Sequence, residues 1–71
     1  MTAGKVYSVT KLVGTSTKSI EEAIENAIET ASKSLKNLDW FEVVNTRGFI
    51  DGGKVAYYQV TLEIGFRYEK S

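Results

Sequence analysis

A chain without histidine or cysteine has few chemistries open to it. Histidine is the commonest general base and the commonest metal ligand, so both roles lose their usual bearer. Without cysteine there is neither a disulfide nor a thiolate zinc site. The remaining tyrosines, lysines, arginines and carboxylates show no spacing that pairs a nucleophile with a base, so an enzyme is not expected. Glu21, Glu22, Glu25 and Glu29 recur at helical spacing and read as a solvated helix face. Such spacing does not close an oxygen cage, and no metal site is expected. Gly52-Gly53 is a turn and not a phosphate loop, because no helix N-terminus follows it. Two further residues are distinctive by type. Trp40 is the single indole, and Gln59 is an amide set within an apolar strand. Read alone, a tryptophan in a small domain is more often core than ligand platform. A strand glutamine read alone is most simply solvated.

The elements that must position these residues follow from hydrophobic spacing. Lys5 to Val13 is rich in β-branched and aromatic residues and reads as a first strand, ended by Gly14-Thr15-Ser16-Thr17. Tyr7, Val9 and Val13 share one face of it, with Lys11 interrupting the pattern. Ser19-Ile20-Glu21-Glu22 fits a capping box, with Ser19 as N-cap and Glu22 reaching back to it. Ile20, Ala23, Ile24, Ala27, Ile28, Ala31, Leu35 and Leu38 then form one apolar stripe on a helix of about five turns. Acidic residues early and Lys33 and Lys36 late suit the helix dipole. A narrow stripe rich in alanine fits close packing on a sheet. Trp40 to Ile50 reads as a second strand, Asp51-Gly52-Gly53 as a hairpin turn, and Lys54 to Tyr68 as a third strand. Along that strand Tyr58, Val60, Leu62, Ile64, Phe66 and Tyr68 point towards the helix. Tyr57, Gln59, Thr61, Glu63, Gly65 and Arg67 point away.

The predicted class is α+β. Residues 1–71 form a single domain of order β-α-β-β, a three-stranded antiparallel sheet packed on one helix. One helix covers one sheet face only, and both sheet edges need protection. A 71-residue domain is also marginal alone and usually needs a staple. With disulfides and thiolate metals excluded, assembly into a symmetric homo-oligomer is the staple left. Nine basic and nine acidic residues cancel, so the basic excess of a nucleic-acid binder is missing. MTAGKVYSVT holds no apolar run of signal-peptide or membrane-span length, so a cytoplasmic protein with no membrane partner is expected.

Several local sequences carry a resemblance. The first strand ends in Val13-Gly14-Thr15-Ser16. Leu38-Asp39-Trp40-Phe41-Glu42-Val43 follows the helix, then Arg47-Gly48. The third strand contains Tyr58-Gln59-Val60-Thr61-Leu62 and closes in Gly65-Phe66-Arg67. In this order, on a β-α-β-β frame of this length, the chain resembles the dodecin family over nearly its whole extent. The joined pattern is specific, while any one piece alone is weak. The resemblance implies a hollow dodecamer of cubic symmetry that binds FMN, riboflavin or lumichrome at subunit contacts. Two flavins stack as an antiparallel pair between tryptophans of symmetry-related subunits. Trp40 matches that tryptophan, and Gln59 matches the glutamine on the polar edge of the isoalloxazine. The implied role is storage, buffering or photoprotective sequestration of flavin. Some bacterial members bind coenzyme A at three-fold contacts, and Lys5 and Arg67 match basic positions associated with its phosphates. For both, a surface charge near a strand end is the plainer reading. The alternative functions are a coenzyme A-binding or purely structural oligomeric module.

The residues suit that chemistry. An indole face stacks on a flat aromatic ring. A glutamine amide both donates and accepts, as the polar edge of an isoalloxazine does. If the hairpin pairs Ile50 with Lys54, Asn45 falls opposite Gln59 and Arg47 opposite Tyr57, on the face away from the helix. Arg47 would then meet a ribityl phosphate, and Asn45 a ribityl hydroxyl. Trp40 breaks the pattern. It is an even position, Asn45 and Arg47 are odd, and strict alternation puts the indole on the helix side. Either a bulge or a bend at the strand start turns it, or the ligand sits at a sheet edge beside a neighbouring subunit.

Overall fold

The computed structural model describes residues 5–68. Its elements are β1 (Tyr7–Ser16), α1 (Ile20–Ser32), β2 (Leu38–Asp51) and β3 (Lys54–Arg67). The sheet is antiparallel throughout, in the order β1-β3-β2. This is the β-α-β-β arrangement the sequence predicts.

The helix lies across β1 and β3 on one face of the sheet. Ala23, Ala27 and Ala31 meet Val60, Leu62 and Ile64, and these six side chains are the buried core. Alanine lets the helix backbone approach the sheet closely. Gly14 completes that approach. A Cβ there would lie 2.1 Å from the Ala23 carbonyl oxygen and 2.9 Å from the Ala27 Cβ. Gly14 is therefore a residue inside β1, and the strand runs on to Ser16 where the sequence suggested a stop at Val13. Gly48 has a different status. It lies mid-strand, and a Cβ there would meet only the Tyr57 carbonyl oxygen, at an ordinary 3.7 Å.

The helix begins as expected, with the Ser19 hydroxyl accepting from the Glu22 amide at 3.0 Å. The reciprocal half of the capping box differs. The Glu22 carboxylate accepts from the Ser16 hydroxyl instead, and Ser16 Oγ takes the amides of Lys18 and Ser19. The helix is also shorter than the apolar stripe. It ends at Ser32, where the Leu35 and Ser34 amides both bond the Ala31 carbonyl and tighten the last turn. Asn37 then turns the chain at φ 63°. Leu35 and Leu38 still pack on the core, but from beyond the helix, so their spacing continued the stripe without continuing the helix.

The hairpin between β2 and β3 corrects the expected register. Gly52 and Gly53 both have positive φ, 61° and 77°, so Asp51 pairs with Lys54 across a two-residue turn. Ala56 is then passed over on β3, between Ile50↔Val55 and Phe49↔Tyr57. The result is a two-residue offset from the expected pairing: Arg47 faces Gln59, and Asn45 faces Thr61.

Much apolar surface stays bare. The helix is centred on β1 and β3, leaving Phe41 47%, Val43 40% and Ile50 79% exposed on the helix side of β2. The far end of the sheet is open as well, where Tyr68, just past the end of β3, is 60% exposed. The radius of gyration is 15.1 Å over extents of 59 × 21 × 13 Å. A compact chain of this length has about 11 Å. A lone copy therefore leaves unburied what a subunit contact would cover. No helix among the described residues is long and apolar enough to cross a membrane.

Candidate functional site

The sheet face away from the helix carries every residue picked out for binding on β2 and β3. Trp40, Gly65 and Val9 form one cross-strand row, Asn45, Thr61 and Val13 another, and Arg47, Gln59 and Thr15 a third. Trp40 and Arg47 share a face although one is even and the other odd. Val44 explains this. It is passed over between Val43↔Leu62 and Asn45↔Thr61, a bulge in the middle of β2 that shifts the alternation by one. The bulge sits four residues past the tryptophan, in the strand's interior. Trp40 thus leaves the core and turns outward.

Gly65 makes room for it. A Cβ at Gly65 would fall 2.0 Å from Cε2, 2.2 Å from Cζ2 and 2.5 Å from Nε1 of Trp40. The indole therefore rests directly on the β3 backbone, supported from below, and is 41% exposed. Tyr7 stands beside it, with ring centroids 6.4 Å apart and planes tilted by 59°. The Tyr7 hydroxyl donates to Asp39 Oδ2 at 2.9 Å. Asp39 is itself passed over between Leu38↔Phe66 and Trp40↔Gly65, so a second bulge immediately precedes the indole. That hydrogen bond raises the hydroxyl above its ordinary pKa, with the nearby negative charge adding to it and Arg67 opposing it. Tyr7, Asp39 and Gly65 escaped the sequence reading as site residues. Gly65 left a signal, since a glycine inside a strand marks a close approach. Tyr7 left none, because its place beside Trp40 depends on both strand pairings.

Gln59 and Arg47 occupy the other end of this face. They are direct cross-strand partners, which puts their Cβ atoms about 5 Å apart. Beyond them Phe49 stacks on Tyr57, with centroids 4.7 Å apart and planes 22° apart. Asn45 lies one row towards the middle. Gln59 and Gly65 are six residues apart on β3, so Gln59 and Trp40 are separated by about 20 Å within one chain. That is longer than a three-ring isoalloxazine. One subunit cannot place both on the same ring, so a site using both must be completed by a neighbouring copy. Arg67, opposite Tyr7, and Lys5, two residues before Tyr7, are both exposed at the tryptophan end.

The family model "Dodecin" matches residues 6–69. The chain belongs to the dodecin family. The dodecin of Thermus thermophilus is 52% identical over 68 residues, covering 96% of this chain and 99% of that one. The solved dodecin of Streptomyces coelicolor superposes with a TM-score of 0.91 at 47% identity, covering 99% of this chain and all of that one. The calcium dodecin of Mycobacterium tuberculosis is more distant, with 31% identity, a TM-score of 0.78, and 93% and 94% coverage. It is described as a calcium-chelating antigen with a novel calcium-binding site. In the present chain no group of three or more Asp or Glu among the described residues is placed to hold a metal ion. Dodecins are oligomeric, in agreement with the bare faces of β2.

Proposed function

We propose that this dodecin assembles into a hollow dodecamer in the cytoplasm and binds flavin there, for storage or photoprotective sequestration, without catalysing a reaction. Two flavins stack as a pair between the Trp40 indoles of symmetry-related copies. Gln59 of a neighbouring copy pairs with the polar edge of the ring. The observation that carries this reading is the seat of Trp40. An indole packed on the Gly65 backbone, turned from the core and 41% exposed, is a preformed stacking platform. Its burial against another flat ring would remove apolar surface from water that folding alone leaves bare.

The rest of the outer face fits a flavin in parts. Arg47 beside Gln59 can meet a ribityl phosphate while the amide holds the ring edge, and Asn45 is one row from both. This ordering favours FMN over riboflavin or lumichrome. A bound flavin supplies light absorption and a one-electron acceptor. The chain supplies support, orientation and exclusion of water. With both ring faces covered, one by the indole and one by the second flavin, no face is left for a substrate. One further observation favours coenzyme A as a second ligand: Lys5 and Arg67 are brought to the same end of the sheet, exposed and able to meet phosphates.

Titration of FMN into the purified protein tests the reading, with flavin fluorescence and light scattering recorded together. The expected result is strong quenching that saturates near one flavin per subunit on a particle of about twelve chains. Trp40→Ala should weaken binding by about 1–3 kcal/mol, the range for aromatic stacking. An assembled particle that leaves FMN fluorescence unchanged would refute the flavin reading and move coenzyme A to first place.

A further inference from the structure

Tyr7 and Asp39 give Trp40 a neighbour that can share its redox chemistry. The phenol ring is 6.4 Å from the indole, centroid to centroid. Its hydroxyl donates to the carboxylate of the residue directly before the indole, at 2.9 Å. We propose that Tyr7 is an electron donor to oxidised Trp40, with Asp39 accepting the phenol proton, so that a hole made on the indole is passed to the phenol.

The argument is one of proton coupling. A phenol that keeps its proton is hard to oxidise, because its radical cation is a strong acid. When the proton leaves together with the electron, the phenol becomes easier to oxidise than an indole. The carboxylate must therefore already be hydrogen-bonded to the hydroxyl, as Asp39 is. Among the described tyrosines, Tyr7 alone donates to a carboxylate. Tyr57 stacks on Phe49 at the opposite end of the sheet face. The hydroxyl's raised pKa agrees, since it keeps the proton on the phenol until the electron leaves.

The step balances. Trp40 loses one electron to a photo-excited isoalloxazine, the oxidant. Tyr7 gives one electron to the indole radical cation, its O–H bond breaks, and the proton moves to Asp39 Oδ2. Trp40 is then neutral, Tyr7 is a neutral phenoxyl radical, and Asp39 is a neutral acid. Return of the electron to Tyr7 and of the proton from Asp39 restores the starting state. The indole that carries the stacking platform is thereby spared lasting oxidation. The inference rests on the flavin reading only for the identity of the oxidant.

The test needs no flavin. Azide radicals generated by pulse radiolysis oxidise the indole of the assembled, flavin-free protein. In the wild type the indolyl absorption should decay as phenoxyl absorption grows, at a rate independent of protein concentration and slower in D2O. In Tyr7→Phe the indolyl radical should decay roughly tenfold or more slowly. Tyr57→Phe should behave as wild type, and Asp39→Asn should slow the transfer. Light scattering checks that each variant keeps its particle. Should Tyr7→Phe fail to assemble, Asp39→Asn decides, and wild-type transfer in it overturns the proposal. Phenoxyl growth at the wild-type rate in Tyr7→Phe, or no phenoxyl in the wild type, also overturns it. Intact transfer in a protein that does not bind FMN would sink the flavin reading and leave the tyrosine relay standing.

Discussion

Gly65→Ala puts a methyl carbon where the indole of Trp40 now lies. The added Cβ would be 2.0 Å from Cε2 and 2.2 Å from Cζ2. Non-bonded carbons settle at about 3.5–4.0 Å, so the ring must retreat by roughly 1.5–2 Å. β3 is the central strand, paired on both sides, and its backbone does not yield. The half-exposed indole does, at a rotamer cost of about 0.5–1.5 kcal/mol. Gly65 faces away from the helix, so the core and the fold should survive. The stacking platform should not. Losing it should weaken FMN binding by about 1–3 kcal/mol, roughly five- to 150-fold in Kd. Trp40 is the only tryptophan, so its emission and near-UV dichroism report this one ring. Both should change in the flavin-free variant, and the FMN titration should then show the loss. Unchanged emission with a Kd within about twofold of wild type would refute the reasoning. It would mean either that the indole does not rest on Gly65 or that its seat does not govern binding.

Three further outcomes are expected. Gln59→Ala should weaken FMN binding less than Trp40→Ala and leave the particle intact by light scattering; a dissolved particle would make the residue structural. Arg47→Ala should lower affinity for FMN more than for riboflavin by calorimetry, and equal losses would remove the phosphate contact. Gly14→Ala should destabilise the protein by about 1–3 kcal/mol, because the new methyl meets the Ala23 carbonyl and the helix must lift. An unchanged denaturation midpoint would contradict the close helix–sheet packing.

Particular elements show what could be read from the sequence. The alanine-rich stripe and the alternation on β3 announced their partners, because both report burial, and burial is what periodicity records. Ala23, Ala27, Ala31, Val60, Leu62 and Ile64 are the core that those two patterns foretell. β2 was opaque for the converse reason. It is exposed nearly throughout in one subunit, so its side chains follow no inside–outside pattern. Bulges at Asp39 and Val44 shift its alternation, and no residue type in β2 marks them. The facing of Trp40 and the pairing of Arg47 with Gln59 depended on those bulges and on Ala56. The candidate residues were named by the family resemblance. Their separation was not, since about 20 Å between Trp40 and Gln59 emerges only from the register.

The bare flanks of β2 carry a consequence for how the protein comes apart. Where the described residues bury only six apolar side chains within one copy, unfolding and dissociation merge into one event governed by mass action. Melting temperature should then rise with protein concentration, and dilution should act as a mild denaturant. A ligand held between copies enters the same equilibrium and raises the melting temperature further, because it binds only the assembled state.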